Sequence, residues 1–242
     1  MRPPQVFACS GMLQSADDVL TNHHLVDHAI SLAGVASPKV CFVPTAVGDA
    51  ADVVAGKRRD FAERRPDVDF SVLTLFTQPN VPDVRKHLLA QDVLFVEGGS
   101  LVNLMAVWRA HGIDTVMREC WESGVVLSGV SAGSMCWHLG GPTDSFRDAL
   151  DPFEDGLGFL PWSNGVHDDF AEQPRRTTYR RLVADGDLPA GYASEDGVGL
   201  HYVGTDLTEA VSVSRGSQAW WVEADGDGGH VERAVPTRYL GA

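Results

Sequence analysis

Short apolar runs alternate with helix-length segments through the first half of this chain, and no other feature limits its fold as much. The runs are Val6-Phe7-Ala8-Cys9, Val40-Cys41-Phe42-Val43, Phe70 to Phe76, Val93-Leu94-Phe95-Val96 and Val125-Val126-Leu127. Most are apolar throughout, as strands buried on both faces must be. Between them lie segments with helical spacing. Asp17 to Ala33 brings Leu20, Leu25, Ala29 and Ala33 near one face, with Gly34 as a stop signal. Asp49 to Arg64 and Val84 to Leu89 follow, and Leu101 to His111 places Leu101, Leu104, Met105 and Trp108 on one side. Repeated β-α-β units of this kind predict an α/β fold: a three-layer, doubly wound, mainly parallel sheet with helices on both faces. Ligands of such sheets bind at the carboxyl ends of the strands. Two glycine-rich turns, Gly98-Gly99 and Gly129 to Gly133, fall there and are expected to be neighbours in space.

The last third changes character. Pro142 to Asp169 is loop-rich, with an apolar strand expected over Leu157 to Leu160, and Thr177 to Ala184 reads as helix. Gly199 to Val203, Ala210 to Ser214 and Ala219 to Glu223 are short alternating segments set apart by Gly and Asp, as in Asp225-Gly226-Asp227-Gly228-Gly229. They predict antiparallel hairpins at the C-terminal end, on a sheet edge. With no internal repeat or low-complexity linker, residues 1–242 are read as a single domain.

A net charge of -14 makes nucleic acid and anionic membranes poor partners. No apolar run is long enough to span a bilayer, and Met1-Arg2-Pro3-Pro4 passes into a strand without a signal segment, so a cytoplasmic location is expected. Cys9, Cys41, Cys120 and Cys136 form no C-x-x-C pair, and Cys9, Cys41 and Cys136 read as core thiols. His24 and His28, four apart, have metal-ligand spacing, but no further ligands complete a site. The Trp220-Trp221 pair is expected to turn one ring to the core and one outward.

The chemistry concentrates at Gly129-Val130-Ser131-Ala132-Gly133, a G-x-S-x-G sequence between an expected strand and an expected helix. A strand turning sharply into a helix holds the middle serine exposed above the sheet edge, as in a nucleophile elbow. A serine hydroxyl needs a base within hydrogen-bond reach, and the base needs an orienting acid. His167, in Asn164-Gly165-Val166-His167-Asp168, is the best base candidate. Asp144, in Thr143-Asp144-Ser145-Phe146, is the best acid candidate, with Asp148, Asp151 and Asp168 as rivals.

These residues resemble the peptidase E and cyanophycinase family of serine peptidases. The resemblance rests on G-V-S-A-G at Gly129 to Gly133, F-V-E-G-G-S at Phe95 to Ser100, T-D-S-F at Thr143 to Phe146, and L-G-F-L-P-W-S-N-G-V-H at Leu157 to His167. It implies a flavodoxin-like fold related to class I glutamine amidotransferases, with serine as nucleophile. It further implies Ser131 as nucleophile, His167 as general base and Asp144 as orienting acid, with the backbone amides of Gly99 and Ala132 as the oxyanion hole. No cofactor or metal is needed for such chemistry. The partner is a small peptide substrate, and a homodimer is compatible with the family.

The dipeptidase branch of this family removes N-terminal aspartate from dipeptides, which calls for a cation beside the nucleophile. Arg175, Arg176, Arg180 and Arg181 fall within seven residues of a chain that has 19 Lys plus Arg. An arginine fork suits a carboxylate, and Arg175 or Arg176, at the helix entry, is the expected substrate ligand. Glu195-Asp196, before Gly197, resembles an acidic residue that relatives keep near the pocket; the plainer reading, a turn acid, is preferred. The alternatives are a cyanophycinase-like peptidase or esterase of other specificity, and a catalytically silent amidotransferase-like binding domain.

Overall fold

A computed structural model of the chain describes residues 2–11 and 18–241. The expected alternation is present: β1 (Gln5–Cys9), α1 (Asp18–Ser31), β2 (Lys39–Val43), α2 (Ala51–Arg64), β3 (Asp69–Val72), α3 (Val84–Leu89) and β4 (Val93–Val96). Next come α4 (Leu101–Ala110), α5 (Ile113–Glu122), β5 (Val126–Val130) and α6 (Ala132–Met135). Asp17, expected in the first helix, lies outside the described residues, as does the side chain of Leu20.

Strands β1, β5, β4, β2 and β3 pair in parallel, in that order across the sheet. Their side chains divide between the two faces with period two. Val6, Ala8, Cys41, Val43, Leu94 and Val96 pack against α4, α5 and α6 through Leu101, Met105, Trp108, Met117 and Met135. Phe7, Cys9, Val40, Phe42, Val93 and Phe95 pack on the other face against Leu25, Ala29 and Ile30 of α1 and Phe61 of α2. This is why the runs are apolar throughout. Ser100 starts α4 by accepting the Asn103 amide at 3.2 Å, and Asp83 starts α3 by accepting that of Lys86 at 2.9 Å.

Two local expectations are corrected, and one helix is added. β3 ends at Val72 rather than Phe76, because the amides of Leu75 and Phe76 donate to the Asp49 carboxylate and that of Thr74 to Asn80. Leu157 to Leu160 is no strand; its amides donate to the carbonyls of Cys136, Trp137 and His138, folding Phe159 and Leu160 over the core. α5 was not anticipated, although Ile113, Met117, Cys120 and Trp121 mark one buried helical face.

The C-terminal third does more than decorate an edge. β6 (Gly141–Thr143) and β7 (Asp151–Phe153) form a small hairpin, followed by β8 (Ser163–Gly165), α7 (Arg175–Ala184) and β9 (Gly191–Ser194). β10 (Val198–Val203) runs antiparallel to β1, β11 (Asp206–Ser212) antiparallel to β10, and β14 (Thr237–Tyr239) parallel to β11, so the central sheet has eight strands. β12 (Ala219–Ala224) and β13 (His230–Val235) pair as a hairpin but join β9 and β8 in a separate four-stranded sheet. Tyr179, Leu182 and Val183 of α7 cover that second sheet against Ala193 and Val222. Trp220 and Trp221 are both half-buried: Trp220 packs beside α7, and Trp221 stands edge-on to Trp162 and Tyr192. No helix among the described residues is long and apolar enough to cross a membrane.

Candidate active site

Two sheet edges meet at the site. In the central sheet, Cys9 of β1 is paired with Val130 of β5, and Val96 of β4 with Gly129, so three strands end together. Ser131 follows β5 directly, at φ 53° and ψ -117°. A non-glycine residue holds such a conformation at a cost of about 1–3 kcal/mol and only where its surroundings enforce it. Here the Ser131 amide donates to the carbonyls of Ser10 at 2.8 Å and Cys9 at 3.1 Å. The small neighbours are a packing requirement: a Cβ on Gly129 would stand 2.3 Å from the Gly133 carbonyl oxygen, and one on Gly133 2.3 Å from that of Val96.

In the second sheet, β8 and β9 are parallel neighbours, with Gly165 beside Ala193. His167 lies two residues past the end of β8, and Asp196 two residues past the end of β9. That pairing brings the two side chains together. His167 Nε2 is 2.8 Å from Ser131 Oγ, and His167 Nδ1 is 2.7 Å from Asp196 Oδ1. The network is satisfied with the Nδ1 proton donated to Asp196 and Nε2 left to accept from the serine. Ser10 braces the arrangement: its Oγ accepts the His167 amide at 2.8 Å and donates to the Ser194 carbonyl at 2.7 Å. The Asp169 carboxylate accepts the Asp196 amide at 2.8 Å.

Asp144 is therefore not the acid on His167, a correction to the sequence reading. Its carboxylate instead accepts from Arg175 at 3.0 Å and from Gln173 at 3.2 Å. Of its rivals, Asp151 pairs with Arg147 and Asp168 with Arg176 and Arg180. Asp148 faces the cleft. Asp196, which the sequence reads as a turn acid, stands on His167 instead. Its signal, an acid before a glycine turn at a strand end, is shared by many ordinary turns.

Ser131, His167 and Asp196 open into a cleft of about 690 Å³ that is also lined by Gly99, Asp144, Asp148, Phe170, Glu172 and Arg175. The amides of Gly99 and Ala132 have no hydrogen-bond partner among the described residues. Gly99 adopts φ 132°, and a Cβ there would press into the Ala46 carbonyl. Arg175 is buried at the cleft wall, and its Nε has no partner among the described residues. Burial pulls its guanidinium below the ordinary value, against the opposing pull of Asp144 and Asp196. Arg176 does not line the cleft, a second correction; it binds Asp168 and Glu232 and lies over the Trp220 ring.

The remaining candidates fall away from the site. All four cysteines are buried free thiols, and burial pushes them up, Cys41 to about 11 and Cys120 to about 12. His24 is exposed, and His28 lies 3.3 Å from Glu209. No cluster of three or more metal-ligating side chains occurs among the described residues.

A hydroxyl, an imidazole and a carboxylate in hydrogen-bonded series, at the carboxyl edge of an α/β sheet, define a site of the serine-hydrolase class. Comparison with known proteins narrows the class. The model of peptidase family S51 matches residues 7–210. Over 204 residues the chain is 37% identical to the uncharacterized peptidase YgaJ of Bacillus subtilis (strain 168), covering 84% of this chain and 86% of that one. Among solved structures it is similar to a peptidase from an acI-B1 Actinobacterium, with a TM-score of 0.67 at 13% identity, over 96% of this chain and 95% of that one. It is also similar to a candidate peptidase E protein from Listeria monocytogenes EGD-e, with a TM-score of 0.56 at 14% identity, over 97% of this chain and 100% of that one. The chain belongs to peptidase family S51 and is a serine-type peptidase.

Proposed function

We propose that this peptidase is an exopeptidase that hydrolyses dipeptides with N-terminal aspartate through an acyl-enzyme. The observation that carries the chemistry is the unbroken series Ser131 Oγ, His167, Asp196, with both links under 3 Å. In this reading His167 Nε2 takes the hydroxyl proton as Ser131 Oγ attacks the scissile carbonyl. Asp196 keeps the Nδ1 proton in place and stabilises the imidazolium that forms. The amides of Gly99 and Ala132 receive the developing oxyanion, each contributing about 3 kcal/mol. His167 then returns the proton to the leaving amine. Water, activated by the same imidazole, attacks the ester and frees the enzyme.

The cleft's charges support the substrate assignment. An N-terminal aspartate presents an ammonium group and a carboxylate close together. Arg175, buried with an unpartnered Nε, suits the carboxylate. Asp144, Asp148 and Glu172 line the same cleft and suit the ammonium. The turn at Ser131 serves as the nucleophile elbow.

The test is a fluorophosphonate probe followed by a panel of dipeptides beginning with Asp, Glu, Asn or a neutral residue. Labelling is expected at Ser131 and lost in Ser131→Ala, with Asp-first peptides cleaved best and that preference lost in Arg175→Met. Labelling that persists in Ser131→Ala overturns the nucleophile. A wild type that neither labels nor cleaves any peptide points to a silent binding domain. Cleavage without preference for Asp points to another specificity, cyanophycinase-like or esterase.

A further inference from the structure

The turn after β8 carries three titratable side chains in a row, His167-Asp168-Asp169. The proton relay uses the first, and Asp169 holds the amide of Asp196. Asp168 serves neither, yet it is the most deeply buried of the three, with a side chain 1% exposed. Its carboxylate accepts from Arg180 at 2.5 and 3.2 Å and from Arg176 at 2.8 Å. Both arginines continue to Glu232 on β13, at 2.6 and 2.9 Å. The Trp220 ring of β12 lies beneath both guanidinium groups, 4.4 Å from Arg176 and 5.7 Å from Arg180. Two of the four clustered arginines are thus committed to one buried carboxylate.

Stability alone gives little reason for such a network, since apolar side chains of similar volume fill a site like this as well or better. Its location supplies a reason. His167 has φ 58°, which a non-glycine residue keeps only when its surroundings over-determine it. Ser10 holds its amide from one side, and the Asp168 amide donates to the Ser194 carbonyl at 3.0 Å. Those bonds fix the main chain at the sheet edge. The ion pairs of Asp168 tie the same turn to α7.

We propose that Asp168 is a positioning residue, whose ion pairs with Arg176 and Arg180 hold the His167 turn so that the imidazole stands between Ser131 and Asp196. The inference rests on the proposed role of His167. Misplacement of a base by about 1 Å costs on the order of 100-fold in rate, while Arg175, in the cleft wall, keeps its own bond to Asp144.

The experiment compares wild type, Asp168→Asn, Arg180→Lys, Arg180→Met and Arg181→Ala. Arg181 sits on the same helix but pairs with Asp185 at the surface. The measurements are the rate of fluorophosphonate labelling at Ser131, kcat and KM on the best-cleaved dipeptide, and thermal stability. Asp168→Asn and Arg180→Met are expected to lower kcat and the labelling rate about 10- to 100-fold with KM within about twofold. Arg180→Lys restores part of the loss, and Arg181→Ala matches wild type. Variants that melt earlier but label and turn over at the wild-type rate overturn the proposal. If Asp168→Asn does not fold, Arg180→Lys and Arg176→Met carry the test, because each leaves Asp168 one arginine. Wild-type kcat in both would then overturn it. A wild type unlabelled at Ser131 sinks the parent reading as well, whereas a labelled wild type with unaffected variants sinks only this one.

Discussion

At Ser131 and His167 the backbone takes positive φ, 53° and 58°, and each residue is held there by bonds to Ser10. One short segment at the end of β1 thus aligns the two side chains. The acid is the residue where chemistry and position separate most clearly. Asp196→Asn keeps the shape of the pair but favours the wrong imidazole tautomer, and is expected to lower kcat by about 10³- to 10⁴-fold. Asp144→Asn is expected to leave kcat within about tenfold and to raise KM, because it removes a charge from the cleft wall and a partner from Arg175. Steady-state kinetics on one dipeptide decide between them. The reverse pattern would return the acid to Asp144. Ser131 and His167 were legible because each lies in a local pattern, a strand-turn-helix glycine motif and a histidine after an apolar segment. Asp196 was not. Its meaning comes from β8 lying beside β9, a pairing of short strands more than twenty residues apart that no local pattern signals.

At the scale of elements, the site depends on how closely β5, α6 and the end of β4 approach one another. The glycines there are small because backbone lies where a side chain would go. Gly133→Ala would push a methyl group to 2.3 Å from the Val96 carbonyl oxygen and 2.9 Å from that of Glu97, just before the Gly98-Gly99 turn. It is expected to destabilise the fold by at least about 2 kcal/mol and to abolish labelling of Ser131. Gly56→Ala is the matched control, since nothing among the described residues lies within 4 Å of a Cβ at that position in α2. It is expected to stabilise the protein by up to about 1 kcal/mol. Urea unfolding of the two variants tests both statements, and equal effects would show that the close approach is not what selects glycine. The parallel strands and most helices were readable because burial on two faces or one leaves a plain periodicity. α5 carries that periodicity as well, in Ile113, Met117, Cys120 and Trp121, but over only ten residues between two positive-φ glycines, Gly112 and Gly124.

Across the whole molecule, buried imidazoles couple folding to pH. His138 is fully buried, with Nδ1 bonded to the Ser134 carbonyl and Nε2 without a partner among the described residues. Burial lowers it from 6.5 to about 4. Between those values the unfolded chain binds a proton that the folded one does not, so stability rises with pH through this window. It is lost as pH falls from about 6.5 to about 4, on the order of 3 kcal/mol for this group. His28, His87 and His201 are lowered by burial too and act in the same direction. Denaturant midpoints at several pH values should show this slope, and His138→Phe should flatten it. An unchanged slope in that variant would remove His138 as its source.

The α/β architecture, the parallel core and the peptidase family can all be read from the residues alone, because each is written in local periodicity or in a contiguous motif. The sequence also marks Ser131 and His167 as a pair. Which carboxylate meets the imidazole, which arginine faces the cleft and which arginines turn inward to Asp168 is settled by packing between distant segments. Those outcomes depend on how a second sheet of short strands sits against the edge of the first. A charged side chain reads the same in sequence whether it ends in solvent, in an ion pair or beside a nucleophile; burial and the partner it meets make the difference.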